Sequence, residues 1–215
     1  MNTENNPEDK KQTPAVEPTT EKVEKKESFL KEIVKFAIIA LVIIVPIRAY
    51  VAEPFIVSGL SMYPTFNDGQ YLIVDELTYD FNAPQRGDVV IFRYPKDTSV
   101  FFIKRIIGLP GETVSSTDGV ITITNSTHPN GIVLNEPYIA ADHRSYDDFK
   151  TTLGPTEYFV MGDNRSQSSD SRVWGPVEKS LLIGRPFVRL LPPSSISILP
   201  GRDTVLGTTG TATTN

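Results

Sequence analysis

Between Ile33 and Ala52 the composition of the chain inverts, and this run constrains the fold more than any other feature. Phe36 to Ile47 carries no charge, with Lys35 and Arg48 near its ends. Twenty residues at helical rise cover ~30 Å, the thickness of a bilayer core, and basic side chains near the ends can snorkel to the polar boundary. The run predicts one transmembrane helix over 33–52, kinked or ended by Pro46. Lys22, Lys25, Lys26 and Lys31 precede it, whereas after Arg48 no Lys or Arg occurs until Arg86. The positive-inside rule then places residues 1–32 on the cytoplasmic side and everything beyond residue 53 on the far side. That arm is rich in Glu, Lys, Thr, Pro and Asn and is expected to be disordered, since it has too little apolar surface to offset its ordering entropy. A cleavable leader fits less well: its apolar region runs about 7–15 residues, and Ala49-Tyr50-Val51 is a poor small-residue cleavage site. A buried core helix is disfavoured by the low apolar content on either side.

From residue 54 onward the pattern changes to short β-prone runs punctuated by Gly, Pro, Asn and Asp. The candidate strands are Gln70 to Asp75, Asp88 to Tyr94, Phe101 to Ile107, Val120 to Thr124, Glu157 to Met161 and Leu181 to Leu190. Turns such as Asn67-Asp68-Gly69 and Leu109-Pro110-Gly111 separate them. No long helical periodicity recurs. The expected fold is mostly β: an antiparallel β-sheet domain over 53–193, with a smaller β-rich lobe inserted at about 113–156. Residues 194–215, rich in Ser, Thr, Gly and Ala, are expected to form a flexible tail.

Composition excludes several chemistries. The chain has no cysteine, which removes disulfides, thiolate metal sites and a cysteine nucleophile. The two histidines, His128 and His143, lie in turn-rich polar surroundings and are expected at the surface, which disfavours a histidine triad. A net charge of −5, with no basic cluster outside the N-terminal arm, argues against nucleic acid as a partner. Nothing resembles a metal site, a phosphate loop or a dinucleotide fingerprint, so neither metal nor cofactor is expected.

Three short segments carry chemistry. The first is Ser58-Gly59-Leu60-Ser61-Met62-Tyr63-Pro64-Thr65. Serines before Pro and Gly are usually turn formers, but Gly59 permits close approach of a substrate backbone and Pro64 stiffens the chain beyond the Ser61 hydroxyl. Amides near Ser61 could therefore hold a developing oxyanion. In the second, Phe101-Phe102-Ile103-Lys104-Arg105-Ile106-Ile107-Gly108, strand alternation puts Phe102, Lys104 and Ile106 on one face and Ile103, Arg105 and Ile107 on the other. Lys104 thus leans toward apolar neighbours, and desolvation disfavours its charged form, as a general base for a serine requires. The third, Gly162 to Arg172, reads by composition as a solvated loop. It also offers the hydroxyls and carboxylates that a neutral amine in a dry pocket needs to point it.

These three segments, in this order after an N-terminal anchor, resemble the motifs of type I signal peptidases, the membrane-bound Ser-Lys leader peptidases of bacteria. The resemblance covers about Ile33 to Pro193. It implies that Ser61 is the nucleophile and Lys104 the general base, with Ser168 and Asp170 orienting the lysine. It also implies a structural ion-pair network of Arg105, Asp163 and Arg172, and shallow subsites lined by Val57 and Ile103 beside Gly59. Some members carry a serine two residues before the nucleophile as an oxyanion donor, and here that place is Gly59. The Ser61 amide is then the expected donor, with the Ser58 hydroxyl a weaker candidate. The implied function is cleavage of signal peptides from exported preproteins after small residues of Ala-x-Ala type, at the bacterial cytoplasmic membrane, with no cofactor. Tyr63, Phe66 and Phe101 are candidates for contact with membrane lipid. The alternatives are a Ser-Lys maturation protease for one dedicated substrate, a self-cleaving repressor, which the anchor disfavours, and an inactive surface β domain that binds peptides.

Overall fold

The computed structural model describes the backbone of residues 21–50, 52–202 and 207–208, and side chains of 29–44 and 53–202. The chain divides into two compact units, 1–45 and 46–215. The first contains most of helix α1 (Glu21–Tyr50). Every described side chain of α1, from Phe29 to Ile44, is exposed, including Phe36, Leu41 and Val42. Among the described residues no helix is long and apolar enough to cross a membrane. Residues 45–52 of the expected span and residues 1–28 of the arm expected over 1–32 lie outside the side chains described; the backbone of 21–32 is helical as the start of α1, in place of the expected disorder.

The second unit is mostly antiparallel β. Its elements are β1 (Ala52–Ile56), β2 (Tyr71–Asp75), α2 (Thr78–Phe81), β3 (Val89–Tyr94), β4 (Asp97–Gly108), β5 (Thr113–Thr117), β6 (Val120–Thr124), β7 (Ile132–Leu134), β8 (Phe149–Thr152), β9 (Glu157–Met161), α3 (Ser171–Trp174), β10 (Val177–Glu178), β11 (Leu182–Leu191), β12 (Ser197–Ile198) and β13 (Gly207–Thr208). The larger sheet runs β1-β2-β11-β3-β4-β9-β10, with β12 on β11. The smaller runs β13-β7-β6-β5-β8, drawn chiefly from residues 113–152.

β4 joins the two halves. Its residues Phe101 to Arg105 pair with β3, and Arg105 and Ile106 also pair with Met161 and Val160 of β9. Alternation divides its apolar payload: Ile106 packs with Val90, Phe92, Val160 and Trp174, while Ile107 packs with Val114, Ile123 and Phe159 under the smaller sheet. Where the strand leaves one core for the other, Gly108 lies so close to Val114 and Leu153 that a β-carbon would fall 2.4 Å and 2.8 Å from them. A third cluster, Val57, Met62, Phe66, Leu72 and Val89 with Ile103 against it, sits under the loop from 57 to 70.

The stretch 194–202 departs from the expected tail. β12 pairs with β11 through Val188↔Ile198, and Gly201 packs against Phe66 while its carbonyl accepts from Arg105 Nη1 at 2.7 Å. The composition of this stretch is loop-like, but its backbone groups satisfy a buried arginine, and that contact is non-local. Residues 203–206 and 209–215 lie outside the described residues.

Candidate active site

Ser61 is carried on the loop between β1 and β2, which is pinned at both ends. Val57 N donates to Gln70 O at 2.9 Å and Gly69 N to Val57 O at 2.9 Å, while Met62 and Phe66 are buried and anchor the middle. Gly59 adopts φ +86° and its N–H donates to Asp68 Oδ1 at 2.7 Å. The space around it is open, so the left-handed backbone is what favours glycine there; a serine at this place would be strained.

Lys104 comes to Ser61 from β4. Its Nζ donates to Ser61 Oγ at 2.7 Å and to Ile103 O at 2.9 Å, and lies 5.2 Å from the Phe102 ring centre. Lys104 is only 4% exposed. Burial lowers its pKa to about 8, against partial opposition from the charges of Asp170 and Asp163. The amine is thus in contact with one hydroxyl and is easily deprotonated, the arrangement a serine needs to lose its proton.

The loop from 162 to 172 closes the site from behind. Gly162 follows β9 and is squeezed between Ser61 and Ser168: a β-carbon on it would lie 2.4 Å from Ser61 O and 2.3 Å from Ser168 Oγ. Asn164 N donates to Ser61 O at 3.0 Å, and its Nδ2 donates to Leu60 O at 3.1 Å. Asp170 caps α3 and accepts from Gly162 N at 3.1 Å. Burial opposes ionisation of Asp170, but the Arg172 guanidinium and the Gly162 amide outweigh it and hold the carboxyl below its ordinary range. Ser168 Oγ is buried beside Gly162, near the Asp170 carboxyl, whose ionised form it also favours.

The expected three-residue ion network separates into two. Arg105 and Asp163, both fully buried, form a bidentate pair through Nε–Oδ1 at 2.8 Å and Nη2–Oδ2 at 2.6 Å. Arg172 pairs instead with Asp170 and with Asp147 of the smaller lobe, both at 2.8 Å. The strand alternation foresaw that Arg105 turns away from Lys104, but only the folded loop shows that Arg172 and Asp163 serve different carboxylate–guanidinium clusters. Thr65 Oγ1 donates to Asp163 Oδ2 at 2.5 Å, tying the Ser61 loop to the same pair.

Val57, Ser58, Ser61, Ile103 and Lys104 line one mostly apolar cleft of about 260 Å³, with Phe55 and Phe101 among its walls. Ser58 is exposed at its rim. Two expectations about rings are corrected. Phe66 is fully buried under the Ser61 loop and cannot meet lipid, whereas Tyr63 and Phe101 remain partly exposed. His128 and His143 are half-buried, and His143 packs on Tyr63 with ring centres 5.1 Å apart. Gly162 and Asn164 stood in the third segment without an assigned role; their roles depend on which backbone they touch.

A serine hydroxyl held by a buried amine, in an apolar cleft on an antiparallel sheet, is an arrangement suited to serine hydrolysis without histidine. The signal peptidase family, peptidase S26, matches residues 30–191, and the chain belongs to it. It is a serine endopeptidase of the kind that cleaves signal peptides. It is 37% identical over 189 residues to signal peptidase I of Leptolyngbya laminosa, covering 84% of this chain and 89% of that one. It is 39% identical over 163 residues to signal peptidase I of Bacillus licheniformis, covering 72% and 84%. A crystal structure of a signal peptidase I from Enterococcus faecalis V583 matches with TM-score 0.41 at 33% identity, covering 48% of this chain and 97% of that one.

Proposed function

We propose that Ser61 is the nucleophile and Lys104 the general base with which this signal peptidase removes signal peptides from exported preproteins. The observation that carries this is the 2.7 Å contact from the buried Lys104 Nζ to Ser61 Oγ. The neutral amine takes the hydroxyl proton as Oγ bonds to the scissile carbonyl carbon, and the Ser61 N–H receives the resulting oxyanion. Collapse breaks the C–N bond, and the ammonium of Lys104 returns its proton to the departing amine. A water then attacks the acyl group, giving its proton to Lys104, and Ser61 leaves with that proton restored. Asp170 and Arg172 hold the loop behind the amine, while Arg105 and Asp163 fix the scaffold on which both segments rest.

The substrate binds extended. Among the described residues no strand pairs with the second edge of β1, and β9 pairs with β4 only from Arg105 onward. The cleft between residues 55–58 and 101–104 therefore offers backbone groups on two sides, and its limited volume admits small side chains such as Ala beside Val57 and Ile103.

The pH profile tests the mechanism. With a lysine pKa of about 8 in the free enzyme, kcat/KM for a preprotein substrate should rise with pH through about 8, falling tenfold per unit on the acid side. A rate constant flat from pH 6 to 9 would contradict the neutral-amine step.

Residues 33–52, which include the later part of α1, serve as the anchor, with residues 1–32 cytoplasmic and the catalytic domain outside. The exposed apolar side chains of Phe29 to Ile44 support this, because such a surface needs an apolar environment. Phe101 on the cleft wall and Tyr63, exposed on the Ser61 loop, would meet the lipid boundary. Since the chain lacks cysteine, a single Val120→Cys change at an exposed site gives a clean probe. A membrane-impermeant maleimide should label it from outside intact cells; labelling only after lysis would reverse the topology.

A further inference from the structure

Asn164 grips the backbone on both sides of Ser61. Its amide N–H donates to Ser61 O at 3.0 Å, and its side-chain Nδ2 donates to Leu60 O at 3.1 Å. Leu60 O also accepts from Tyr63 N at 3.1 Å, so two donors converge on this carbonyl. Asn164 is 1% exposed; Leu60 O can only accept, which fixes the NH₂ end of the amide toward it, and Oδ1 accepts from Ser166 Oγ at 3.2 Å. The carbonyl of Leu60 and the N–H of Ser61 belong to one planar trans peptide unit and point in opposite directions. Anchoring the oxygen therefore sets the direction of the N–H. Donation into the carbonyl also polarises the unit and strengthens that N–H as a donor.

We propose that Asn164 is a positioning residue for oxyanion stabilisation, acting through the Leu60–Ser61 peptide unit without touching substrate. This rests on the reading of Ser61 as nucleophile and of its N–H as an oxyanion donor. It assigns a task to a side chain whose contacts are all to protein, and it explains why a rigid amide is buried directly behind the nucleophile. A pre-set donor helps the transition state more than the ground state, because the ground-state carbonyl carries little charge.

The test uses the full chain carrying Asn164→Leu, which keeps the bulk and the backbone bond to Ser61 but cannot donate to Leu60. Two probes separate the effects: a substrate-like peptide aldehyde, whose adduct with Ser61 Oγ places an oxygen in the oxyanion position, and the same peptide with a reduced scissile amide, which has no such oxygen. The expected result is a kcat lower by about 10- to 100-fold and aldehyde affinity weaker by a similar factor. KM, reduced-amide affinity and the acid limb of the pH profile should be unchanged. Equal loss for both probes, a displaced acid limb with intact aldehyde affinity, or full kcat would overturn the proposal. Ser166→Ala, which removes the hydroxyl on Oδ1 and loosens the amide without removing it, guards against a folding defect and should give the same selective pattern at a smaller factor. Ser61→Ala separates the two levels of inference. Retained cleavage there removes the nucleophile assignment, whereas its loss alongside a fully active Asn164→Leu removes only the role of Asn164.

Discussion

Replacing Lys104 with methionine should give a folded protein that cleaves preprotein at least about a thousandfold more slowly, with no loss of stability at neutral pH. Methionine fills the same space, but it cannot accept the Ser61 proton. The stability half follows from the depressed pKa. Burial takes the amine from its ordinary 10.5 to about 8, so the unfolded chain binds that proton more tightly than the native one. The charged amine therefore destabilises the native state fully at pH values below about 8, and the penalty disappears as pH rises to about 10.5. A shift of this size corresponds to about 3 kcal/mol, offset in part by the hydrogen bonds to Ser61 and Ile103 that methionine forfeits. Chemical denaturation should thus find the variant more stable than the parent by about 1–3 kcal/mol at pH 7, with the difference narrowing or reversing near pH 11. Cleavage within tenfold of the parent would remove Lys104 as the base. A less stable variant at pH 7 would show that the amine is not held against its hydration.

Removing the carboxylate of Asp163 should produce the largest loss of stability. Arg105 is fully buried, and its guanidinium donates to both Asp163 oxygens, to Gly87 O and to Gly201 O, with the Tyr138 ring 3.9 Å away. Without the carboxylate, a desolvated cation loses the anion that it holds with two hydrogen bonds, and breaking such a pair costs about 3–5 kcal/mol. Asp163→Ala also takes the acceptor from Thr65, which holds the Ser61 loop to this centre, so the activity of the remaining folded molecules should fall as well. The combined Arg105→Met, Asp163→Leu variant should recover more than half of the lost stability, because it removes the buried cation together with its carboxylate and leaves apolar groups in their place. Urea midpoints of the parent, the single and the double variant provide the check. A single-variant loss below about 1 kcal/mol would mean that water or another anion reaches Arg105, and an equally unstable double variant would point to lost shape instead of lost charge compensation.

Much of the sheet could be read locally. The strands around Ile73, Ile91, Ile103 and Val160 announce themselves through dense apolar and aromatic content between turn residues, and all four lie in the larger sheet. β5 and β8 are different: Thr113–Thr117 and Phe149–Thr152 are rich in Ser and Thr, which read equally well as turns, and become strands because they pair with one another and β5 also pairs with β6. β1 carries Pro54, which weakens a strand assignment, yet it sits on a sheet edge where a missing N–H can be tolerated. Residues 194–202 failed as a tail for the same reason in reverse, since their partners on β11, Phe66 and Arg105 are remote in sequence. The division of Arg172 from Asp163 likewise depended on Asp147, a residue of the smaller lobe with no local signal.

By itself the sequence determined the two segments that bring an alcohol and an amine into use, because their chemistry depends on residue type and on the two-residue period of a strand. That period alone set Lys104 and Arg105 on opposite faces. The tertiary structure decided what each of them meets: the Ser61 hydroxyl 2.7 Å from one, and the buried Asp163 carboxylate against the other. It also decided how dry the amine is, and that Gly162 and Asn164 press on the backbone of Ser61. These depend on strands from distant parts of the chain closing around one point, and desolvation is a property of that enclosure, which no short stretch of residues encodes.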